Sequence, residues 1–372
     1  MHGHGREGRL RRAGGSFPGT CVAQKTPPPT GDSTVLKPLR KSHTFGRLTL
    51  GAVLAESVVI VSLQSVLAAF FLSYYESFGG ALTFGAHRGI PVYLIIFILA
   101  QIFAIVLCWD AVRHKNTIQI IGFVIFSFCS FVYSIFQNAQ MTRIFDQEFV
   151  NAREDSSTKI SDDHAKLLSG ILLTIPIVYG VFFSLFCFLA YKLYLEFGWK
   201  IYKKIGADPK IRNMYRTYQI FLMLLKLDAF FIVSFGIQFL VLVIKTNDPE
   251  FALTICALPI LVIILALVVY GVRREDKIIM WLFGFSALMT LSYFLFKLIR
   301  ILTTEADQYL DTRNYLLLFS GLSLFVVGTT VVVSVICYRN FGRGLKPYIW
   351  KSTQSDGEPA SSGERKPIEE EA

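Results

Sequence analysis

Eight apolar blocks, each long enough to cross a bilayer, occupy most of this 372-residue sequence. A helix of about twenty residues matches a hydrocarbon core roughly 30 Å thick. A water-soluble bundle would interrupt such blocks with polar residues at helical spacing. The sequence therefore predicts an all-α fold, a polytopic transmembrane helical bundle of about eight spans within 48–340. The predicted spans lie near 49–72, 91–110, 118–137, 168–191, 217–244, 251–272, 278–301 and 314–338.

The composition supports a membrane protein and argues against a nucleic-acid-binding protein. Hydrophobic residues make up 53% of the chain and charged residues 17%, where a soluble domain carries roughly 25% charged residues. The net charge is +10, but the basic residues flank the apolar blocks. Such flanking charges orient spans in a membrane. We therefore predict the lipid bilayer as a partner and no nucleic acid, while protein partners are left open.

Two polar segments enclose the predicted spans. Residues 1–47 are rich in Gly, Pro, Arg and Ser, and 341–372 end in consecutive glutamates. Such segments bury too little apolar surface to order themselves, so both are predicted to be disordered tails. Lys and Arg are concentrated in alternate connecting segments, starting with the first tail. With an even number of spans, this bias predicts that both termini are cytosolic.

The sequence offers no recognisable catalytic or metal-binding motif. It lacks a phosphate-binding Gly-rich loop, His-Glu-x-x-His, Gly-x-Ser-x-Gly and a paired Cys-x-x-Cys, which are spacings that carry known chemistry. The six cysteines do not form a disulfide pattern in the connecting segments. We therefore predict no enzyme, no bound metal and no cofactor.

Three charged residues inside predicted spans form the first candidate site. A charge at a helix centre costs about 2.5–3.5 kcal/mol to insert, so it usually faces protein or water and has a partner. Glu56 lies in the first span, and Lys226 and Asp228 lie in the fifth. Lys226 and Asp228 are two residues apart and face different sides of their helix.

From their similar depths we predict an interhelical ion pair between Glu56 and Lys226, which leaves Asp228 on a polar cavity. Two alternatives stay open. Lys226 can instead extend along its helix to the headgroups, because a long basic side chain snorkels. Asp228 can have a structural role, with another span or the backbone as its partner, or it can bind an ion or a proton.

Basic residues near the span ends form a second candidate set, for anion or lipid contact. Two lie one turn apart near the outer end of the seventh span, and three lie in the 192–216 connector among aromatic residues. Clusters of this kind bind anionic lipid headgroups or a cytosolic partner; the alternative is an interfacial belt without specific ligands. The residues are Lys297, Arg300, Lys200, Lys203 and Lys204.

One stretch carries a resemblance to a known family. The quoted segments are Tyr194-Leu195-Glu196-Phe197-Gly198-Trp199-Lys200, Ile205-Gly206-Ala207-Asp208, Tyr215-Arg216-Thr217-Tyr218-Gln219-Ile220-Phe221 and Leu224-Leu225-Lys226-Leu227-Asp228-Ala229-Phe230-Phe231. Together with the layout of spans between polar tails, they resemble a family of uncharacterised fungal Golgi-apparatus multispanning membrane proteins. The resemblance covers roughly 50–345 and implies location in the Golgi or a related endomembrane. It supplies no catalytic residue.

Three functions remain open from the sequence. The first is a multi-pass Golgi endomembrane protein with a role in membrane or lipid homeostasis. The second is a transporter or an ion or proton pathway that uses Glu56, Lys226 and Asp228. The third is a receptor-like or trafficking scaffold that presents the 192–216 connector and the tails to cytosolic partners.

Overall fold

The computed structural model describes residues 42–77, 84–154, 162–205, 209–242, 249–303 and 313–343. Within these ranges the chain forms eight α-helices and no strand. The helices are α1 (Ser42–Ser77), α2 (Phe84–Arg113), α3 (Thr117–Glu154), α4 (Asp162–Ile205), α5 (Pro209–Leu242), α6 (Pro249–Arg274), α7 (Lys277–Thr303) and α8 (Arg313–Arg339).

All eight helices are long and apolar enough to cross a membrane, which confirms the predicted fold class. Several boundaries differ from the sequence-based ones. Helix α1 begins at Ser42, inside the segment predicted as the first tail, and α4 continues to Ile205. The fifth span was expected to reach 244, whereas α5 ends at Leu242. The remaining tail segments, 1–41 and 344–372, lie outside the described residues.

The helices pack as two groups of four. In the first half, α1 packs against α2 and α4, and α3 packs against α2 and α4. In the second half, α5 packs against α6 and α8, and α7 packs against α6 and α8. Each half is therefore a closed ring of four helices. Arginines lie in the last turns of α2, α6 and α8, and we call the end of the bundle where these helices finish the basic end.

Helix α5 joins the two halves. It packs against α2 and α3 as well as its own neighbours, and 67% of its apolar window is buried, against 17% for α6. An aromatic cluster forms this joint: the Phe230 ring lies 4.9 Å from Phe103 and 4.8 Å from Phe126. Aromatic pairs at such distances add stabilisation beyond their buried area. The rest of α5 is thereby held at a fixed position between the halves.

The joint also requires a glycine. Gly122 on α3 lies against the Met223 side chain of α5, and a Cβ at position 122 would collide with it. The absence of a side chain thus lets two helices approach closely, which is how small residues act at interfaces between membrane helices. At this point only the Met223 side chain separates helices α3 and α5.

Candidate functional site

Glu56 lies on α1 in the interior of the first half, where 3% of its surface is exposed. Beside it, the Ser57 hydroxyl donates to Gln101 Oε1 at 2.7 Å, and Gln101 Nε2 donates to the Tyr179 hydroxyl at 2.7 Å. Glu56 also interacts electrostatically with Tyr179. Helices α1, α2 and α4 therefore share one polar network around this carboxyl.

The ion pair predicted between Glu56 and Lys226 is wrong. The Lys226 ammonium instead pairs with the Asp110 carboxylate on α2, and both side chains are partly exposed. Asp110 also contacts His114 Nδ1 at 3.0 Å. Equal depth along two helices does not determine which faces meet, and Lys226 faces α2, where Asp110 is nearer the solvent than Glu56. A partly exposed pair also avoids most of the desolvation cost of a buried one.

A second contact near the basic end joins the halves next to this ion pair. Asn116 precedes α3, and its Nδ2 donates to Gln219 Oε1 on α5. Gln219 Nε2 in turn donates to the Tyr215 hydroxyl at 2.9 Å. Polar contacts between the two halves thus lie toward the basic end, and the aromatic cluster lies deeper.

Asp228 lies on α5 inside the second half, with 2% of its surface exposed. Its Oδ1 has no hydrogen-bond partner within the described part of the chain. The carboxyl contacts the Thr330 hydroxyl of α8 by a side-chain hydrogen bond. It also lines a cavity of about 20 Å³ together with Ser286 and Thr290 of α7 and apolar side chains of α6. A buried polar atom without a partner is uncommon and marks a place for an unseen water or ion.

Three hydroxyls around Asp228 each donate a hydrogen bond to a backbone carbonyl. Ser286 donates to Phe283 O at 2.9 Å, and Thr290 donates to Ser286 O at 2.9 Å. Thr330 donates to Val326 O at 2.9 Å. A hydroxyl has one proton and two lone pairs, so the Ser286 and Thr290 oxygens are left to accept, whereas Thr330 also forms a hydrogen bond with the Asp228 carboxyl. The site therefore combines a carboxyl with oxygen acceptors and suits an occupant that donates a proton or carries positive charge.

The structure does not bring the three residues of the first candidate site together. Glu56 is inside the first half, Asp228 is inside the second, and Lys226 lies at the joint. Sequence reasoning missed Asp110, which it treated as the end of the second span, and the hydroxyls on α7 and α8. Only the charge of Asp110 was a usable signal, because single serines and threonines are common in membrane helices.

The second candidate set is dispersed. Lys297 is enclosed in the bundle, with 4% of its surface exposed, and its Nζ lies 4.1 Å above the Phe239 ring of α5. Arg300 is exposed. Lys200, Lys203 and Lys204 lie in the last turns of α4, but their side chains are outside the described set. The anion or lipid contact expected for these five residues stays a prediction.

A metal centre gains no support from the part of the chain that is described. No group of three or more His, Cys, Asp or Glu side chains there could hold a metal ion. Its cysteines, including the buried Cys108 and Cys337, are free thiols. The described polar chemistry of the spans is therefore that of single carboxyls among hydroxyls and amides.

Comparisons with known proteins give one relative. The chain is 32% identical over 276 residues to the UPF0658 Golgi apparatus membrane protein of the fission yeast Schizosaccharomyces pombe, a match covering 70% of this chain and 78% of the relative. No family model matches the sequence. No solved structure matches it either.

Proposed function

This chain belongs to the UPF0658 family of Golgi apparatus membrane proteins, and from that premise we propose that it moves protons across the Golgi membrane through Asp228. The observation that carries the proposal is the buried Asp228 carboxyl, whose Oδ1 has no partner among the described residues and which lines a cavity. Ionisable residues inside membrane helices commonly mark proton relays and ion pathways.

The acceptors around Asp228 favour a cationic or protonic occupant. Ser286 and Thr290 direct their protons to backbone carbonyls, so a bare carboxylate would face their lone pairs. Burying a charge without a full set of partners is costly, and a proton on Asp228 removes the charge and lets the acid donate to a hydroxyl oxygen of the cavity. Alternate loading and release of that proton is the elementary step of a pathway.

The size of the cavity favours a proton over a metal cation. A cavity of about 20 Å³ has room for one water molecule by the usual requirement of ~10–15 Å³. Divalent cations take about six or more oxygen ligands, whereas this site offers one carboxyl and three hydroxyls. A proton with one bridging water needs only these groups. We infer transport rather than a covalent reaction, because the described residues include no recognisable group of catalytic side chains.

The basic end supports a proposal for the orientation in the membrane. Cationic flanks of spans stay in the cytosol, so we place the basic end, and with it both termini, on the cytosolic side of the Golgi membrane. The lysines at the end of α4 would then face the anionic cytosolic leaflet, where each basic residue near the surface contributes about 1 kcal/mol to lipid attraction. The homeostasis and scaffold functions are the competing proposals.

Reconstitution tests the proposal directly. The purified full chain is placed in liposomes with a trapped pH-sensitive dye, and proton entry is driven by a potassium diffusion potential. We expect entry above that of empty liposomes. Asp228→Asn should reduce it by about a hundredfold, the scale on which removal of a proton-transferring group acts. Asp228→Glu should retain part of the flux, because the exchangeable proton is kept.

The matched control is Thr329→Val, since Thr329 is only partly buried and neighbours the buried Thr330 on α8. It should leave flux unchanged, and size-exclusion profiles should match for all variants. Full flux in Asp228→Asn would exclude Asp228 as the carrier. If the wild type transports sodium but not protons, the transported species is a monovalent cation rather than a proton. No flux from a well-folded wild type, together with mislocalised partners after charge removal at 192–216, would favour the scaffold.

A further inference from the structure

The two halves of the bundle have the same architecture. In each, the first helix contacts the second and fourth, and the third contacts the second and fourth. Both halves also begin at the basic end, because four spans separate α1 from α5. A unit that is repeated after an even number of spans keeps its orientation in the membrane, as parallel repeats in transporters do. Helices α1 to α4 thus correspond in order to α5 to α8.

The turns between the second and third helices of the two halves match residue by residue. The residue with positive φ is Lys115 in one turn, at 50°, and Glu275 in the other, at 56°. The next residue, Asn116 or Asp276, accepts at its side-chain Oδ1 from the N–H two residues on, at 3.0 Å in both turns. Positive φ is uncommon outside glycine.

The backbone bonding of these turns is also the same. The positive-φ residue donates to the carbonyl of Val112 in one turn and of Val272 in the other, and the following residue donates to Ala111 O or Gly271 O. Both valines are followed by arginine, at Arg113 and Arg273. Two αα-turns with equal φ, caps and hydrogen bonds are expected of two copies of one unit.

The helices that carry the acids share a tripeptide at the same distance from each acid. Glu56 is followed four residues on by Ile60-Val61-Ser62, and Asp228 is followed four residues on by Ile232-Val233-Ser234. The fourth helix of each half contains Ser-Gly, at Ser169 in α4 and Ser320 in α8. When Ser169 is aligned with Ser320, Tyr179 and Thr330 occupy equivalent positions in the two sequences. The sequence register therefore pairs acid with acid and hydroxyl with hydroxyl.

The contacts inside the two halves obey the same register. Glu56 interacts with Tyr179, and Asp228 interacts with Thr330. We propose that the chain is a duplicated four-helix unit in which Glu56 is the counterpart of Asp228 and forms a second proton-binding site. The claim about Glu56 rests on the proton-carrying role proposed for Asp228.

A hydrophobic carbodiimide distinguishes the two sites without a transport assay. Dicyclohexylcarbodiimide reacts with protonated carboxyl groups in apolar surroundings, and peptide mass spectrometry locates the adduct. In the full-length wild type we expect adducts at both Glu56 and Asp228. Glu56→Gln and Asp228→Asn should each remove one adduct. Asp110, which is partly exposed and paired with Lys226, is the control carboxyl and should stay unlabelled.

Every outcome decides between the two claims. Labelling of Asp228 without Glu56 would overturn the second site and leave the proposed function standing. Labelling of Glu56 without Asp228 would overturn the proposed function and with it the shared role. Absence of both adducts would overturn both claims. Because the wild type carries the main readout, a variant that fails to fold does not obscure the result.

Discussion

Two buried glutamines show how differently the halves treat polar groups. Gln101 in the first half and Gln238 in the second expose 3% and 0% of their surfaces. Gln101 accepts from Ser57 and donates to Tyr179, both at 2.7 Å. Neither Nε2 nor Oε1 of Gln238 has a hydrogen-bond partner among the described residues. The same side chain, equally buried, thus forms a hydrogen-bonded network in one half and has unsatisfied hydrogen-bonding groups in the other.

The difference extends along the helices. In the first half Gln64 and Gln137 bond each other reciprocally at 3.0 and 3.2 Å. In the second half the hydroxyls of Ser234 and Ser320 are buried without partners in the described structure. Unsatisfied polar atoms cost free energy unless water reaches them. In the first half, Thr117 and Gln119 near the basic end also carry buried atoms without described partners, so the contrast holds for the glutamines deeper in the bundle. We expect the interface of α5 and α8 to be hydrated.

The largest stability effect is expected from breaking the satisfied network. Gln101→Leu removes two hydrogen bonds and leaves the Ser57 and Tyr179 hydroxyls without their partner, at a cost of about 2–4 kcal/mol if each orphaned group costs ~1–3 kcal/mol. Thermal unfolding in detergent should show a clearly lower midpoint. Ile102→Leu, at an exposed neighbouring position, is the control. An unchanged midpoint for Gln101→Leu would mean that the network is not formed.

A slightly smaller loss is expected at the joint between the halves. Gly122→Val drives two methyl groups into the space of Met223, and such overpacking costs about 1–3 kcal/mol. Met223→Ala in the same chain should restore much of the loss by vacating that space. The measurement is the unfolding midpoint of the single and double variants. If Met223→Ala adds to the damage, the two residues do not meet.

In the second half, the corresponding glutamine substitution should be harmless. Gln238→Leu removes an amide that forms no described hydrogen bond, and replacing such a group by an apolar one is near neutral or stabilising by up to about 1 kcal/mol. The same thermal assay measures it. A loss as large as that of Gln101→Leu would show that ordered water satisfies Gln238, and the contrast between the halves would then be one of hydration alone.

The smallest effect is expected at the ion pair that links the halves. Lys226 and Asp110 are about one third and one quarter exposed, and exposed pairs contribute about 0–1 kcal/mol. Lys226→Met should therefore shift the unfolding midpoint little. Exchanging the charges, Asp110→Lys with Lys226→Asp, should recover whatever either single reversal loses. Recovery by Glu56→Lys with Lys226→Glu would instead restore the pairing that the structure contradicts.

The fold was predictable because crossing a bilayer is a local requirement. A stretch such as 278–301 has to bury its backbone polar groups within its own helix wherever its neighbours lie. Length and apolar composition are then sufficient, and α7 spans Lys277–Thr303 as expected. The end of α4 at Ile205 was harder to predict from the sequence. Beyond the apolar block, the length of a helix depends on capping and tertiary contacts rather than on hydrophobicity.

The candidate site was only partly predictable. The sequence singled out Asp228 as a costly intramembrane charge, and the structure places it beside a cavity. It could not supply Ser286, Thr290 and Thr330, because hydroxyls that bond their own backbone are indistinguishable in sequence from those that line a site. The family-like segment around Tyr215 and Asp228 has a structural explanation as well, since it lies on the helix that joins the halves.

The sequence by itself determined the number of spans and the positions of the acids along them, because hydrophobic length and charge cost act within one helix. Only the tertiary structure decided that Lys226 meets Asp110 and that Glu56 and Asp228 lie in separate halves. Partner choice depends on how each helix is rotated about its axis. That rotation is set by packing of small and aromatic residues such as Gly122 and Phe230 against other helices, which no single span encodes.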